Sequence, residues 1–172
     1  MIKTSTFFAF MPLFLFVSMA ALAQDPAPTV EAQMQSLLDM CAQTSEARQA
    51  RHAKSSLYER LGGYDEILKL THEIVRLHGE NEEIKHTLKG VDTDLLARHV
   101  ADFVAAGTGG TAEYTGRTLP ASHAHLKLTD SHFLAAGSDI MTAMKNLGHG
   151  EDVTQEFVCI LVSLKDQVVF SH

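Results

Sequence analysis

Between Ser55 and Val169 the apolar residues recur at helical spacing, and glycines cut the pattern into segments. Apolar side chains three and four residues apart line one face of a helix, whereas a half-buried strand needs strict alternation. Ile67, Leu70, Ile74, Val75 and Leu77 make one such stripe, closed at Gly79, with a further break at Gly90. Leu95, Leu96, Val100, Phe103 and Val104 make a second, ended by Gly107-Thr108-Gly109-Gly110. A third, carrying Phe133, Ile140, Met141, Met144 and Leu147, stops at Gly148 and Gly150. The fourth holds Val153, Phe157, Ile160, Leu161, Leu164 and Val168. No convincing alternating run occurs, and β-prone Gln167–Phe170 continues a helical pattern. The expected class is all-α.

Local signals agree with that division. Ser56-Leu57-Tyr58-Glu59 has the form of a capping box, in which the Ser and Glu side chains satisfy each other's free amides. The short helix it starts should end at Gly62-Gly63. Asp92 or Asp94 can cap the second long helix, and Asp130 the third. From Gly107 to about Pro120 the chain is expected to be irregular.

The N-terminus reads differently. Lys3 precedes a nearly continuous apolar run from Phe7 to Ala20, and Ala21-Leu22-Ala23 fits a small-x-small cleavage pattern. A signal peptide over residues 1–23 is expected, with export to a periplasm or the exterior. The run is too short for a comfortable spanning helix, so no stable membrane anchor is expected. Residues 24–54 form an extension: a linker with Pro26 and Pro28, then a short amphipathic helix carrying Val30, Met34, Leu37, Leu38 and Cys41, then the polar, basic stretch Ser45–Lys54. The domain proper spans 55–172.

Composition narrows the function. A chain of 172 residues, 45% apolar, holds one domain with modest extras. A net charge of −7 gives nucleic acid nothing to attract. Cys41 and Cys159 are too few for a disulfide scaffold or a cysteine-rich zinc site, and their proximity cannot be read from sequence. An exporting compartment would permit them to pair. Nucleophile-elbow and phosphate-loop motifs are absent.

Ten histidines remain. His72, His78 and His86 lie among charged residues and look solvated. His99 falls on the apolar stripe of its helix, and His123 and His125 follow the irregular segment. Neutral imidazole ligates iron, zinc and copper, so one His from each of two segments can clamp a metal group between helices. The same pattern also fits a buried structural His99 and a surface His123.

Taken in order, Leu57-Tyr58-Glu59-Arg60-Leu61-Gly62-Gly63, Gly109-Gly110 with Tyr114-Thr115-Gly116-Arg117, His123-Ala124-His125-Leu126, and Thr129-Asp130-Ser131-His132-Phe133 resemble a truncated haemoglobin of the first group. The resemblance covers about Ser55 to Val169. It implies a two-over-two helical sandwich around one haem b, with diatomic gases as ligands and an unidentified electron donor as partner. The family's proximal iron ligand matches His123, with His125 at the haem edge or in solvent. Tyr114, Arg117 and Phe133 are carried over as cofactor-binding positions, with Phe103.

The distal side departs from the family. Many members place a Tyr where this chain has Val75 and a Gln where it has Val100. Leu88 stands in for the usual corner Phe, and Leu96 is apolar where a polar gate residue is sometimes found. His99 matches a position that supplies a second iron ligand in some cyanobacterial and algal relatives, so His123 and His99 are the two expected metal ligands. NO dioxygenation or other haem redox activity is implied by the family. Electron transfer by a bis-histidine haem, or a haem-free helical interaction module, are the other classes the sequence admits.

Overall fold

A computed structural model describes residues 27–170 of the chain. The expected leader lies outside the described residues. Within them the structure is helical with no strand. The helices are α1 (Val30–Gln43), α2 (Ser45–His52), α3 (Leu57–Arg60), α4 (Tyr64–Glu80), α5 (Thr93–Gly107), α6 (Leu119–His123), α7 (Asp130–Asn146) and α8 (Glu151–Ser163). No described helix is long and apolar enough to cross a membrane.

The caps explain the boundaries. Both halves of the capping box at Ser56 and Glu59 are made, and Gly62 and Gly63 take positive φ angles of 96° and 79° to turn the chain into α4. Asp92 caps α5 by accepting from the Leu95 amide at 3.0 Å. At α7 the cap is Thr129, not the expected Asp130, with His132 closing the box from the third position. Asp130 sits in the first turn instead, where its charge suits the helix N-terminus.

The core is built where α4 packs on α5 and α7, and α7 on α8. Leu57, Leu61, Ile67, Leu70 and Met144 are almost wholly buried in it, with Phe157 from α8. This is the two-over-two sandwich. The stripe on α5 differs from the expected one: Ala97, Ala101, Val104 and Ala105 are buried, while Leu95 is 45% exposed. Small alanines let the α4 and α5 backbones approach, and that close contact outweighs the larger side chains in choosing the inner face.

The extension is ordered and attached. α1 lies on α7 and α8 with Met34 only 6% exposed, and Cys41 is disulfide-bonded to Cys159 of α8 across 118 positions of sequence. The polar stretch after α1 is helical as α2, since Ala, Arg, Gln and Glu are good helix formers and Arg51 finds Glu156 and Asp152 on α8. Glu156, 5% exposed, also accepts from Arg60 of α3. The last helix ends at Ser163 rather than running to Val168. A 3₁₀ turn follows, and the Phe170 amide donates to the Leu128 carbonyl at 2.8 Å, drawing the chain towards the start of α7.

Candidate functional site

His123 is the last residue of α6, a single short turn set up by its own sequence. Thr118 caps it by accepting from the Ala121 amide at 3.4 Å, and Pro120 occupies the first turn, where its missing N–H costs nothing. Four residues separate Leu119 from His123, so one helical turn brings the Leu119 carbonyl to the imidazole. His123 Nδ1 lies 2.8 Å from that oxygen. A carbonyl only accepts, so Nδ1 carries the hydrogen, and in the neutral ring Nε2 is left with the lone pair. His123 is half-buried, and its ring makes no other hydrogen bond or ion pair among the described residues. The Thr-Leu-Pro signature of this turn was available in the sequence; the carbonyl it delivers was not singled out there. His125 is exposed.

α5 presents two adjacent stripes. The alanine stripe meets α4, and beside it Leu96, His99, Val100 and Phe103 repeat at the spacing of successive turns. Leu96, Val100 and Phe103 are half-buried, while His99 is exposed, which corrects the expectation that its face of the helix points inward. The His99 side chain makes no hydrogen bond or ion pair among the described residues. His99 and His123 stand on separate elements with no such link joining them.

Other expected site residues fall into place unevenly. Phe103 meets Tyr114 edge-on, ring centroids 5.2 Å apart. The Tyr114 hydroxyl donates to the Arg117 carbonyl at 2.7 Å, so Arg117 contributes its backbone to this cluster and leaves its side chain exposed. Leu88 ends the 3₁₀ turn Lys85–Leu88, and Phe133 lies in the first turn of α7; the rings of His86 and His132 on these two elements are 5.7 Å apart. Both Leu88 and Phe133 are half-buried. Val75 is buried at 6% exposure and offers no donor.

His78 was expected to be solvated and is not. At the end of α4 it bonds through Nδ1 to Asp139 of α7 at 2.9 Å, and Asn81 donates to the other oxygen of the same carboxylate. Burial pushes the His78 pKa below its ordinary value, with Asp139 opposing. Charged neighbours in sequence concealed this, because one face of the end of α4 turns towards α7. Among the described residues no group of three or more His, Cys, Asp or Glu side chains is arranged to hold a metal ion.

A helical sandwich in which one imidazole has a ring nitrogen fixed by a carbonyl, while one helix leaves apolar side chains half-exposed, is the arrangement a globin requires. The sequence profile of the bacterial-like globins matches residues 56–170, and the chain belongs to that family. Within it the similarity is to truncated haemoglobins of group 1. The group 1 truncated hemoglobin GlbN of Synechocystis sp. is 29% identical over 110 residues, covering 62% of this chain and 89% of that protein. That of Tetrahymena pyriformis is 27% identical over 101 residues, covering 59% and 84%. Among solved structures, the Fe(III) truncated hemoglobin of Tetrahymena pyriformis superposes with a TM-score of 0.63 at 23% identity, over 68% of this chain and all of that one. The cyanomet 2/2 hemoglobin of Synechococcus sp., described with covalently attached heme, gives 0.60 at 26% identity over 66% and 94%.

Haem is the cofactor this family implies, and the residues fit it. A haem needs one lone-pair nitrogen and an apolar surface that the chain does not itself cover. His123 Nε2 answers the first need, and half-exposed Leu96, Val100, Phe103 and Phe133 answer the second.

Proposed function

We propose that this chain binds one haem b with His123 as the proximal ligand, and that His99 takes the opposite side when no external ligand is bound. The observation that carries the proposal is the Leu119 carbonyl on His123 Nδ1. It fixes the tautomer and the ring orientation, and hydrogen bonding to that nitrogen makes Nε2 a stronger donor. Haem would supply an iron site for a diatomic gas such as oxygen, NO or CO. The chain's own residues hold the imidazole, exclude water with Leu96, Val100 and Phe103, and place His99 on the same side of α5 as these three.

With Val75, Leu96 and Val100 all apolar, no side chain at those positions donates a hydrogen bond to a bound gas. Such bonds slow oxygen release. Long-lived oxygen storage is therefore disfavoured, and redox work or NO chemistry is favoured, including NO dioxygenation with an electron donor still to be identified. A second reading, bis-histidine electron transfer, draws on His99 itself, whose imidazole has no hydrogen-bond or ion-pair partner among the described residues. We also propose export, with a leader over 1–23 removed; the Cys41–Cys159 disulfide supports an oxidising compartment.

Purified full-length mature chain, titrated with hemin, tests the assignment. A Soret band saturating at one haem per chain is expected, with His123→Gly sharply reducing retention. No Soret band in the parent would overturn the haem reading. The ferric parent should be low-spin and His99→Leu high-spin; a high-spin parent at neutral pH would remove His99 from the iron. CO binding to the ferrous form separates gas chemistry from pure electron transfer, which predicts none.

A further inference from the structure

Tyr114 is placed to do something other than line a pocket. It sits in the irregular chain between α5 and α6, and two contacts fix it. Its ring meets Phe103 of α5 edge-on at 5.2 Å. Its hydroxyl donates to the Arg117 carbonyl at 2.7 Å, clasping the chain three residues ahead. That clasp is so tight that a Cβ added at Gly116 would fall 2.4 to 2.7 Å from the Tyr114 ring and hydroxyl, closer than real atoms come. Immediately beyond Arg117 stand Thr118, the cap of α6, and Leu119, whose carbonyl holds His123.

We infer that Tyr114 is a positioning residue for His123. The contacts run from Phe103 on α5, through the Tyr114 ring and hydroxyl, to the Arg117 carbonyl and so to the start of α6. Without the hydroxyl, nothing else among these contacts fixes where α6 begins relative to α5. The turn carrying His123 has only five residues, too few to hold its place by helix stability alone. Phe103 lies four residues after His99, so one strut ties the segment of the proximal histidine to the helix of the distal one.

The consequence for haem rests on the function proposed above; the strut itself does not. Tyr114→Phe keeps the ring and its contact with Phe103 while removing the bond to Arg117, so a residue that only walls a pocket would not notice the change. Hydrogen exchange of the full chain without haem is read over residues 117–123, and haem transfer from the loaded chain to an excess of acceptor apoprotein is read separately. Losing one such bond should speed exchange of that segment about threefold to tenfold, with α4 and α8 unchanged, and speed haem transfer by a similar factor. Gly116→Ala, which forces the ring aside, should reproduce the local pattern. Unchanged exchange over 117–123, or an equal rise throughout the chain, overturns the strut. Faster local exchange with unaltered haem transfer overturns the positioning of His123. A parent chain that takes up no haem defeats the functional proposal instead, and the exchange result then judges the strut alone.

Discussion

The two flanks of the helical sandwich are finished in opposite ways. On the α8 flank the chain closes itself. Val158, Cys159 and Val162 are buried yet lie outside the main core, and Cys159 is bonded to α1. Met40 of α1 and Val158 line one shallow groove where the two helices meet. Arg51 and Arg60 reach the buried Glu156 from α2 and α3. On the α5 flank the equivalent finishing is missing: Leu96, Val100 and Phe103 stay half-exposed, and His99 and Leu95 are exposed. One flank is covered by the extension that precedes the family's matched region, and the other fits a flat apolar cofactor. Apolar side chains left half-exposed along successive turns of one helix mark a binding site more than a packing fault.

The largest effect should come from unfastening the covered flank. Replacing both Cys41 and Cys159 with Ser is expected to lower unfolding stability by about 2–5 kcal/mol, because the bond closes a very long loop in the unfolded chain. Denaturant titration of the haem-free protein measures this, and dithiothreitol on the parent should match it. A loss below about 1 kcal/mol, using the same scale, would mean the extension is held by packing and ion pairs rather than by the bond.

Next in size is Glu156→Gln. It leaves two guanidinium groups facing a neutral amide at a site where Arg60 Nη1 and Arg51 Nε already lack hydrogen-bond partners. Breaking a buried pair costs about 3–5 kcal/mol when both charges are dry. Arg51 is 28% exposed, so water softens the penalty and about 1–3 kcal/mol is expected. A neutral outcome would show that α2 is a loosely attached surface helix.

The contrast sharpens with matched substitutions on the two flanks. Val158→Gln buries an amide under α1 and should cost about 1–3 kcal/mol. Leu96→Gln on the half-exposed stripe should change the haem-free protein by only about 0.5 kcal/mol. If the two cost the same, the α5 stripe is ordinary core and the proposed site loses its support.

How much of this was legible beforehand follows from what each feature depends on. The α3 capping box, the glycine breaks and the Asp92 cap are local, involve residues within a few positions, and stood in the sequence. His123 was singled out by motif order, and the Thr118-Leu119-Pro120 turn that orients it was readable as helix-start chemistry. Only the burial of His99 was misjudged, because periodicity ranks large apolar residues, whereas Ala97, Ala101 and Ala105 took the inner face through close helix approach. The disulfide and the His78–Asp139 bond join residues 118 and 61 positions apart, and no local pattern encodes such pairings.

The smallest effect concerns the seam between the flanks, where α4 meets α7. His78 is held there in a buried site, and burial favours its neutral form more than the Asp139 carboxylate favours the cation. Its folded pKa therefore lies below the ordinary value of about 6.5. Between those two values the unfolded chain binds a proton that the folded chain does not, so stability must fall as pH drops through that window and be fully present above about pH 7. His149 is shifted the same way by burial, so His149→Gln provides the background in which His78 is isolated. Unfolding free energy measured from pH 8 to 5.5 should decline in that background, and His78→Gln, whose amide can still donate to Asp139, should flatten the decline. A rise in stability on acidification would mean that the carboxylate outweighs burial. The α4–α7 seam would then be held by an ion pair like the one around Glu156, and the two flanks would differ only in what covers them.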